Sequence, residues 1–196
     1  MRDPDLLSTA SDIAALQILA RFERTDAADE ILAQRDEFIS YFMGVLGASP
    51  TGYPQTFRLL HFANLVGTFM AMHFKAIHRR ERPSRLAPSL LPPLQVPGHA
   101  SYPSGHATQA HLIATCAAAI LPAGLNPIVT DTLVALADRI ARNREIAGLH
   151  FHDDTLGGID LAANIFEFLE TDRQLGSTAT IPRYRDLFDA AAAEWT

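Results

Sequence analysis

Two positively charged side chains, Lys75 and Arg82, lie seven residues apart in a stretch with the sequence KAIHRRER. On a helix this spacing, about two turns, places both side chains on one face. Pro83 follows directly and is expected to end the helix. By itself the segment is typical of a solvated basic helix end, because cations are favoured at helix C-termini. The other interpretation is that the two cations help to bind an anion.

The segment Ser104-Gly105-His106 comes immediately before an apolar stretch that is predicted to be helical. The first N–H groups of a helix have no partner within the helix, so they form a cradle for an anion. Gly105 would allow a ligand to approach this backbone closely. The simpler interpretation is a helix cap provided by Ser104. A cap does not require His106, and this residue favours the anion cradle.

A third group of residues consists of Arg144, His150 and Asp154. His150 and Asp154 lie four residues apart, so the start of a helix would place the carboxylate beside the imidazole. An aspartate that accepts one ring N–H fixes the tautomer and leaves the other nitrogen available as a nucleophile or base. The alternative is a surface histidine near an acidic helix N-terminus.

A metal site competes for the same segment, because HFHDD offers two histidines and two aspartates. His150 and His152 are two residues apart, however, so they do not share one face of a helix. No further pair of ligands has the spacing typical of zinc sites. The sequence therefore predicts no metal site.

Taken in this order, the three segments resemble the signature of a superfamily. It unites type 2 phosphatidic acid phosphatases, bacterial class A acid phosphatases and vanadium-dependent haloperoxidases. The matching residues are Lys75, Arg82, Pro83, Pro103, Ser104, Gly105, His106, Arg144, His150 and Asp154. Asn143 departs from the signature, which often has Ser before the arginine. The matched span, 75–154, covers 80 of the 196 residues.

The resemblance implies a role for each matched residue. The phosphoryl oxygens would be held by Lys75, Arg82, Ser104, Gly105 and Arg144. His150 would attack phosphorus and form a phosphohistidine intermediate, while Asp154 would orient His150. His106 would protonate the leaving oxygen and then activate water. The implied function is a metal-independent phosphoric monoester hydrolase that acts on a small phosphorylated substrate without a cofactor.

Two alternatives use the same residues. A vanadium-dependent haloperoxidase would bind vanadate in this pocket through His150. Its relatives usually carry longer insertions, whereas here 21 residues separate Arg82 from Ser104 and 37 separate His106 from Arg144. The compact spacing favours the phosphatase. A non-catalytic phosphate-binding module is disfavoured because both His106 and His150 are present.

Apolar spacing and breaker residues predict helices throughout the chain. The expected ranges are 11–24, 25–46, 54–80, 105–121, 127–147, 153–170 and 183–195, with a proline-rich connection at 83–103 and a polar stretch around Gly176. We therefore expect an all-α helical bundle resembling the acid phosphatase/vanadium haloperoxidase fold. Residues 1–52 are expected to pack on the core formed by 53–196 as one compact unit. On the helix at 54–80, the stripe His61, Phe62, Leu65, Phe69, Met72 and His73 favours core packing over a lipid groove.

The composition and charge of the chain limit the kinds of partner that it is expected to bind. The formal net charge of −6 disfavours general binding to nucleic acid. No signal peptide pattern is visible at the N-terminus and no run of about 18 apolar residues occurs, so we expect a soluble protein of the cytoplasm or periplasm. Peripheral membrane contact and a homo-oligomer stay open. The single cysteine, Cys116, lies among apolar residues and is expected to be buried.

Overall fold

The computed structural model describes residues 10–123, 125–174 and 182–196. These residues contain nine α-helices and no strand, which confirms the all-α prediction. The helices are α1 (Ala10–Phe22), α2 (Arg24–Ala33), α3 (Ile39–Val45), α4 (Pro54–His78), α5 (Pro83–Leu86), α6 (Gly105–Ala119), α7 (Asn126–Ile146), α8 (His152–Gln174) and α9 (Pro182–Ala192). Short 3₁₀ turns occupy Pro88–Leu90 and Ala193–Trp195.

Helix α6 is the centre of the bundle and packs against α4, α7 and α8. It is rich in small residues, and Ala107, Ala110, Ala114 and Ala117 are buried on it. Small side chains allow neighbouring helices to approach closely on several sides, and a helix that is apolar all round is buried. Cys116 lies in this core as expected, and burial raises the pKa of its thiol to about 12. The packing of α6 against α4, α7 and α8 holds the start of α6 at a fixed place in the bundle.

The single helix expected at 25–46 is wrong, because α2 ends at Ala33 and α3 begins only at Ile39. In the break at 34–38, the backbone carbonyls of Gln34 and Arg35 turn toward His106 and accept hydrogen bonds from its ring. The turn also allows Phe38 to enter the core. Apolar spacing could not reveal the break, since its cause is a partner 71 and 72 residues away in sequence.

The proline-rich connection is ordered by contacts rather than by secondary structure alone. It contains α5 and the first 3₁₀ turn, and Leu90 and Leu94 are buried beneath the N-terminal helices. Its far end is fixed by a hydrogen bond from the Ser101 N–H to the Arg80 carbonyl at 2.8 Å. The backbone between residues 99 and 101 consequently lies against the end of α4.

The core packing expected for the stripe on α4 is wrong for five of its six residues: His61, Leu65, Phe69, Met72 and His73 are exposed, and Phe62 is partly buried. Leu65 is 67%, Phe69 72% and Met72 41% exposed. Helix α4 instead buries a different face against α6, where a Cβ on Gly67 would approach Gln109 Cα to 3.1 Å. The helix is apolar on both faces, so residue type at helical spacing did not distinguish the buried face from the exposed one.

The last predicted helix is present as α9 and a terminal 3₁₀ turn. Trp195 stacks on Tyr53 and donates its ring N–H to Thr56 Oγ1 at 3.0 Å, which fastens the C-terminus to the start of α4. Gly176, expected in a polar stretch, lies outside the described residues. In the described part of the chain, no helix combines the length and apolar character needed to cross a bilayer.

Candidate active site

The three sequence segments meet at one end of the bundle. Lys75 lies in the last turn of α4, Gly105 begins α6, Arg144 lies in the last turn of α7, and Asp154 lies in the first turn of α8. A cavity of about 150 Å³ opens between them. Its walls include six of the eight residues singled out from the sequence: Lys75, Arg82, Gly105, His106, Arg144 and His150. The other two, Ser104 and Asp154, are fully buried behind the wall.

Arg144 is a buried cation with unused hydrogen-bond donors. It is 1% exposed, and its Nη2 donates to the Ile31 carbonyl at 2.9 Å. Its Nε and Nη1 are buried and have no hydrogen-bond partner. Burial lowers the pKa of the guanidinium to about 10, so it still carries its charge at neutral pH. A buried charge without a counterion is costly. The environment of Arg144 is therefore suited to an anion in the cavity.

Lys75 is held by backbone carbonyls. Its Nζ donates to Ala100 O at 2.9 Å and to Ser101 O at 2.7 Å, which leaves one of three donors for the cavity. Burial, together with the nearby charge of Arg82, lowers the pKa of Lys75 to about 7. The Lys75 amine is thus only partly protonated near neutral pH.

Arg82 is 2% exposed and is also fixed by the connection it begins. Its Nε donates to His99 O at 3.0 Å and its Nη1 to Leu149 O at 2.9 Å. The carbonyls position the guanidinium but do not neutralise it. Burial lowers the pKa of Arg82 to about 10.

Asp154 is the buried carboxylate of the site. Its Oδ1 accepts from Arg80 Nη1 at 2.9 Å, and its Oδ2 accepts from Phe151 N at 2.9 Å and from the Ser101 hydroxyl. The Nδ1 of His150 lies 3.3 Å from the same oxygen. Burial opposes ionisation of Asp154, but the partner His150 and then Arg80 and Ser101 outweigh it and lower the pKa of the carboxyl. Asp154 is therefore an ionised acceptor.

These contacts assign the tautomer of His150. Arg82 Nη1 lies 3.4 Å from His150 Nε2, and a guanidinium can only donate, so Nε2 carries the lone pair. Nδ1 then carries the proton that faces Asp154. Burial, with the charges of Lys75 and Arg82, holds the pKa of His150 well below its ordinary value despite Asp154. The ring is therefore neutral, and it lines the cavity with its Nε2 lone pair beside Arg82 Nη1.

Ser104 caps α6 and also links α6 to α8. Its hydroxyl accepts from Ala107 N at 3.4 Å, and its own N–H donates to Asp154 O at 2.8 Å. At Gly105 a Cβ would lie 3.9 Å from Gln109 Oε1 and 4.0 Å from Lys75 Cε. The structure therefore shows the cap directly, and Gly105 lines the cavity together with Lys75.

His106 is oriented by the break between α2 and α3. Its Nε2 donates to Gln34 O at 3.1 Å and to Arg35 O at 3.2 Å, so in the neutral ring Nδ1 carries the lone pair. Burial, followed by the charge of Arg144, lowers the pKa of His106 to about 4. His106 is therefore neutral near neutral pH.

Sequence reasoning missed the residues that hold the site in place. Ser101 and Arg80 both bind Asp154, yet one lies in a proline-rich loop and the other in a basic run, and neither position carries a signal of its own. Asn143, noted only as a departure from the signature, donates to Glu30 Oε2 at 3.0 Å and to Gln34 Oε1 at 2.8 Å. It thereby ties α7 to the end of α2, which carries the acceptors for His106.

No group of three or more His, Cys, Asp or Glu side chains arranged to hold a metal ion occurs in the described ranges. The second histidine of HFHDD, His152, binds Glu145 Oε1 through Nδ1 at 3.1 Å and does not line the cavity.

A scan against protein-family models gives no match, and no curated protein matches the chain. Among solved structures, the chain is similar to "the first transmembrane PAP2 type phosphatidylglycerolphosphate phosphatase from Bacillus subtilis", with a TM-score of 0.52 and 21% sequence identity. The match covers 86% of this chain and 96% of that one. At this identity the similarity establishes the architecture, and it agrees with the superfamily to which the motifs point. The chain therefore has the helical fold of a PAP2-type phosphatase.

Proposed function

We propose that this protein is a phosphoric monoester hydrolase that works without a metal and through a phosphohistidine intermediate. The observation that carries the proposal is the buried Arg144, whose Nε and Nη1 lack partners beside a cavity that also contains Lys75 and Arg82. The carboxylate at this site, Asp154, is already paired with Arg80. A tetrahedral dianion would compensate the positive charge and use the unpaired donors.

A phosphoryl group in transfer spreads negative charge over three oxygens, and fixed cations stabilise it. Arg144 and Arg82 offer planar pairs of donors and Lys75 a point charge. In the proposal, the first N–H groups of α6, beginning at Gly105, complete the cradle. Ser104 contributes by capping the helix that presents these groups, and its hydroxyl could turn to an oxygen of the ligand.

In the first step, His150 Nε2 attacks phosphorus and the bond from phosphorus to the leaving oxygen breaks. His106 gives a proton to that oxygen. In the second step, water attacks phosphorus while His106 takes its proton, and the bond between phosphorus and nitrogen breaks to release phosphate. Asp154 stabilises the positive charge that develops on His150.

The low pKa of His106, about 4, has a consequence for this cycle. A bound phosphoryl group offsets the charge of Arg144, which is one cause of the low pKa. Its negative charge would therefore raise the pKa of His106 and allow the ring to carry the proton for the leaving group. In this scheme the His106 ring takes up its acidic proton only when the substrate binds.

The test is hydrolysis of p-nitrophenyl phosphate in the presence of EDTA. The wild-type chain is expected to turn over without added metal, and His150→Ala is expected to lose at least about 10⁴-fold in kcat while keeping its circular dichroism spectrum. Arg58→Gln, which removes an exposed arginine elsewhere on α4, is the control and should retain turnover. Rapid denaturation during turnover with ³²P-labelled substrate should trap an acid-labile phosphohistidine in the wild type.

Three outcomes would contradict the proposal. Peroxide-dependent bromination of monochlorodimedone after addition of vanadate, without hydrolysis of p-nitrophenyl phosphate, would indicate a haloperoxidase. Calorimetric binding of phosphate without any turnover would indicate a non-catalytic binding module. Full activity in His150→Ala would overturn the assignment of the nucleophile.

A further inference from the structure

A second cavity, of about 400 Å³, opens directly beside the candidate active site. The two cavities share Lys75, Arg82 and His99 in their walls. The His99 ring reaches across this boundary, with its Nδ1 3.1 Å from Arg82 Nη2. The second cavity therefore lies next to the first, with these three side chains common to both walls.

The second cavity has a strongly positive wall on a chain whose formal net charge is −6. Arg79 and Arg85 lie in this wall beside Lys75 and Arg82, and Glu81 is its one carboxylate. Among the described residues, no carboxylate lies within ion-pairing distance of either Arg79 or Arg85. Arg79 Nε donates to Ala76 O at 3.1 Å, and the other N–H groups of these two exposed guanidinium groups remain available to an anion in solution.

The backbone at Arg79 adds an independent observation. It follows the last residue of α4 with φ at 52°, in the left-handed region where glycine is usual and a side chain is strained. Strain of this kind at a non-glycine residue is characteristic of positions where the side chain has a task. Here the residue at the strained position contributes its guanidinium to the cavity wall.

We propose that the second cavity binds a second phosphate carried by the leaving group of the substrate. The substrate class would then be diphosphates and bisphosphates, with one phosphoryl group beside His150 and the other held by Arg79 and Arg85. The inference rests on the function proposed above and specifies the substrate of the same site. Arginine suits this task because its planar fork can donate two hydrogen bonds to one phosphate.

The test compares non-hydrolysable ligands by titration calorimetry on the full chain. Methylphosphonate carries one phosphonate, whereas methylenediphosphonate and propane-1,3-diphosphonate carry two at different separations. The wild type is expected to bind at least one diphosphonate about tenfold or more tightly than methylphosphonate, as expected for added charge-assisted hydrogen bonds. The readout is the ratio of the dissociation constants of methylphosphonate and each diphosphonate, and the effect of a general change in potential on this ratio is measured with the Arg58→Gln control.

The variant is Arg79→Gly with Arg85→Gln. Glycine is favoured at φ 52°, so the first substitution removes the guanidinium while relieving the backbone. We expect the diphosphonate advantage to fall to within about twofold in this variant and to persist in Arg58→Gln, a control that removes one positive charge at a distant place on α4.

The inference is overturned if the wild type shows no advantage for either diphosphonate, or if the double variant keeps it. Its failure is distinguishable from failure of the proposed function. If only this inference is wrong, methylphosphonate still binds and p-nitrophenyl phosphate is still hydrolysed. If the proposed function itself is wrong, no phosphonate binds and no turnover occurs, and both proposals are then wrong.

Discussion

At the scale of single residues, the site is defined by what its charged groups lack. Arg144 has two buried donors without partners, while Lys75 and Arg82 are held by carbonyls that carry no formal charge. Bringing these buried cations together without a counterion is electrostatically unfavourable, and a bound dianion would relieve this cost. Two predictions follow from this arrangement.

The first prediction concerns Arg144. Sulfate should stabilise the wild type, and at about 100 times its dissociation constant the gain is about 2.7 kcal/mol, equivalent to about 5–10 °C in Tm for a domain of this size. Arg144→Gln should lose most of this shift, because the unpaired donors that face the cavity are removed. Differential scanning fluorimetry measures the effect.

The control for Arg144 lies on the same helix. Arg139 is exposed and pairs with Glu30 at the surface, so Arg139→Gln should change stability by no more than about 1 kcal/mol and leave the sulfate shift intact. Equal sulfate shifts in wild type and Arg144→Gln would remove the main support for an anion site.

The second prediction concerns Lys75, whose pKa of about 7 lies below the value of 10.5 expected after unfolding. Between these pH values the unfolded chain holds more protons than the folded chain. The contribution of Lys75 to the free energy of unfolding therefore increases as pH rises from 7 to 10.5, which favours the folded state. Anion binding has the opposite dependence. Sulfate has no proton to lose in this range, so its affinity should weaken progressively from pH 7 to 9 as Lys75 is neutralised.

Titration calorimetry at several pH values measures this dependence. In Lys75→Arg the side chain stays charged, because arginine keeps its proton throughout this range, and the affinity for sulfate should be nearly flat from pH 6 to 9. A wild-type profile that is equally flat would show that Lys75 is not the titrating group.

At the scale of elements, the site depends on the close approach of α8 to the start of α6. Gly158 on α8 leaves no room for a side chain: a Cβ there would lie 2.7 Å from Ser104 O and 2.8 Å from the Ala107 Cβ. The same contact region carries the hydrogen bond from Ser104 N to Asp154 O. The helix that carries Asp154 is thus held directly against the first turn of α6, which begins at Gly105.

The third prediction follows from this packing. Gly158→Ala should force α8 away from α6, lower the free energy of unfolding by about 2–3 kcal/mol and reduce kcat for p-nitrophenyl phosphate. The matched control is Gly44→Ala in α3, where nothing lies within 4 Å of the added Cβ. Because alanine is the better helix former, this control should stabilise by about 0.5–1 kcal/mol.

Denaturant unfolding monitored by circular dichroism, together with initial rates, checks both variants. A Gly158→Ala chain with wild-type stability and wild-type kcat would show that the contact between α8 and α6 does not set the geometry of the site.

At the scale of the whole molecule, the N-terminal helices are part of the site. The end of α2 supplies the Ile31 carbonyl for Arg144 and the Gln34 carbonyl for His106. The same helix shares a small apolar cluster with Leu94, Ile146 and Leu149, and Leu149 directly precedes His150. Residues of α2 and of the bundle therefore contribute to one another's stability.

The fourth prediction is a single cooperative unfolding transition. Because α2 and the bundle share buried polar and apolar contacts, calorimetric and van't Hoff enthalpies should agree. Ile31→Ala, which opens a cavity at a fully buried position, should lower the one Tm rather than split it. A separate early transition of the N-terminal helices, with catalytic activity retained, would contradict this view.

The sequence by itself determined the all-α class, most helix positions and the eight residues that meet at the site. Helical periodicity and breakers are local, and the three motifs carry fixed spacings, so both are visible along the chain. Gly148 shows how local signals suffice: its φ of 75° turns the chain between Arg144 and His150, where a break was expected.

Only the tertiary structure decided the remaining features. It placed Ser101 and Arg80 on Asp154, broke the helix at 34–38 to give His106 its acceptors, and left Phe69 exposed while the opposite face of α4 was buried. Each of these depends on a partner distant in sequence, and periodicity cannot tell which of two apolar faces will find a neighbour. The physical reason is the same throughout: burial and hydrogen bonding are settled by what packs nearby, which no single segment encodes.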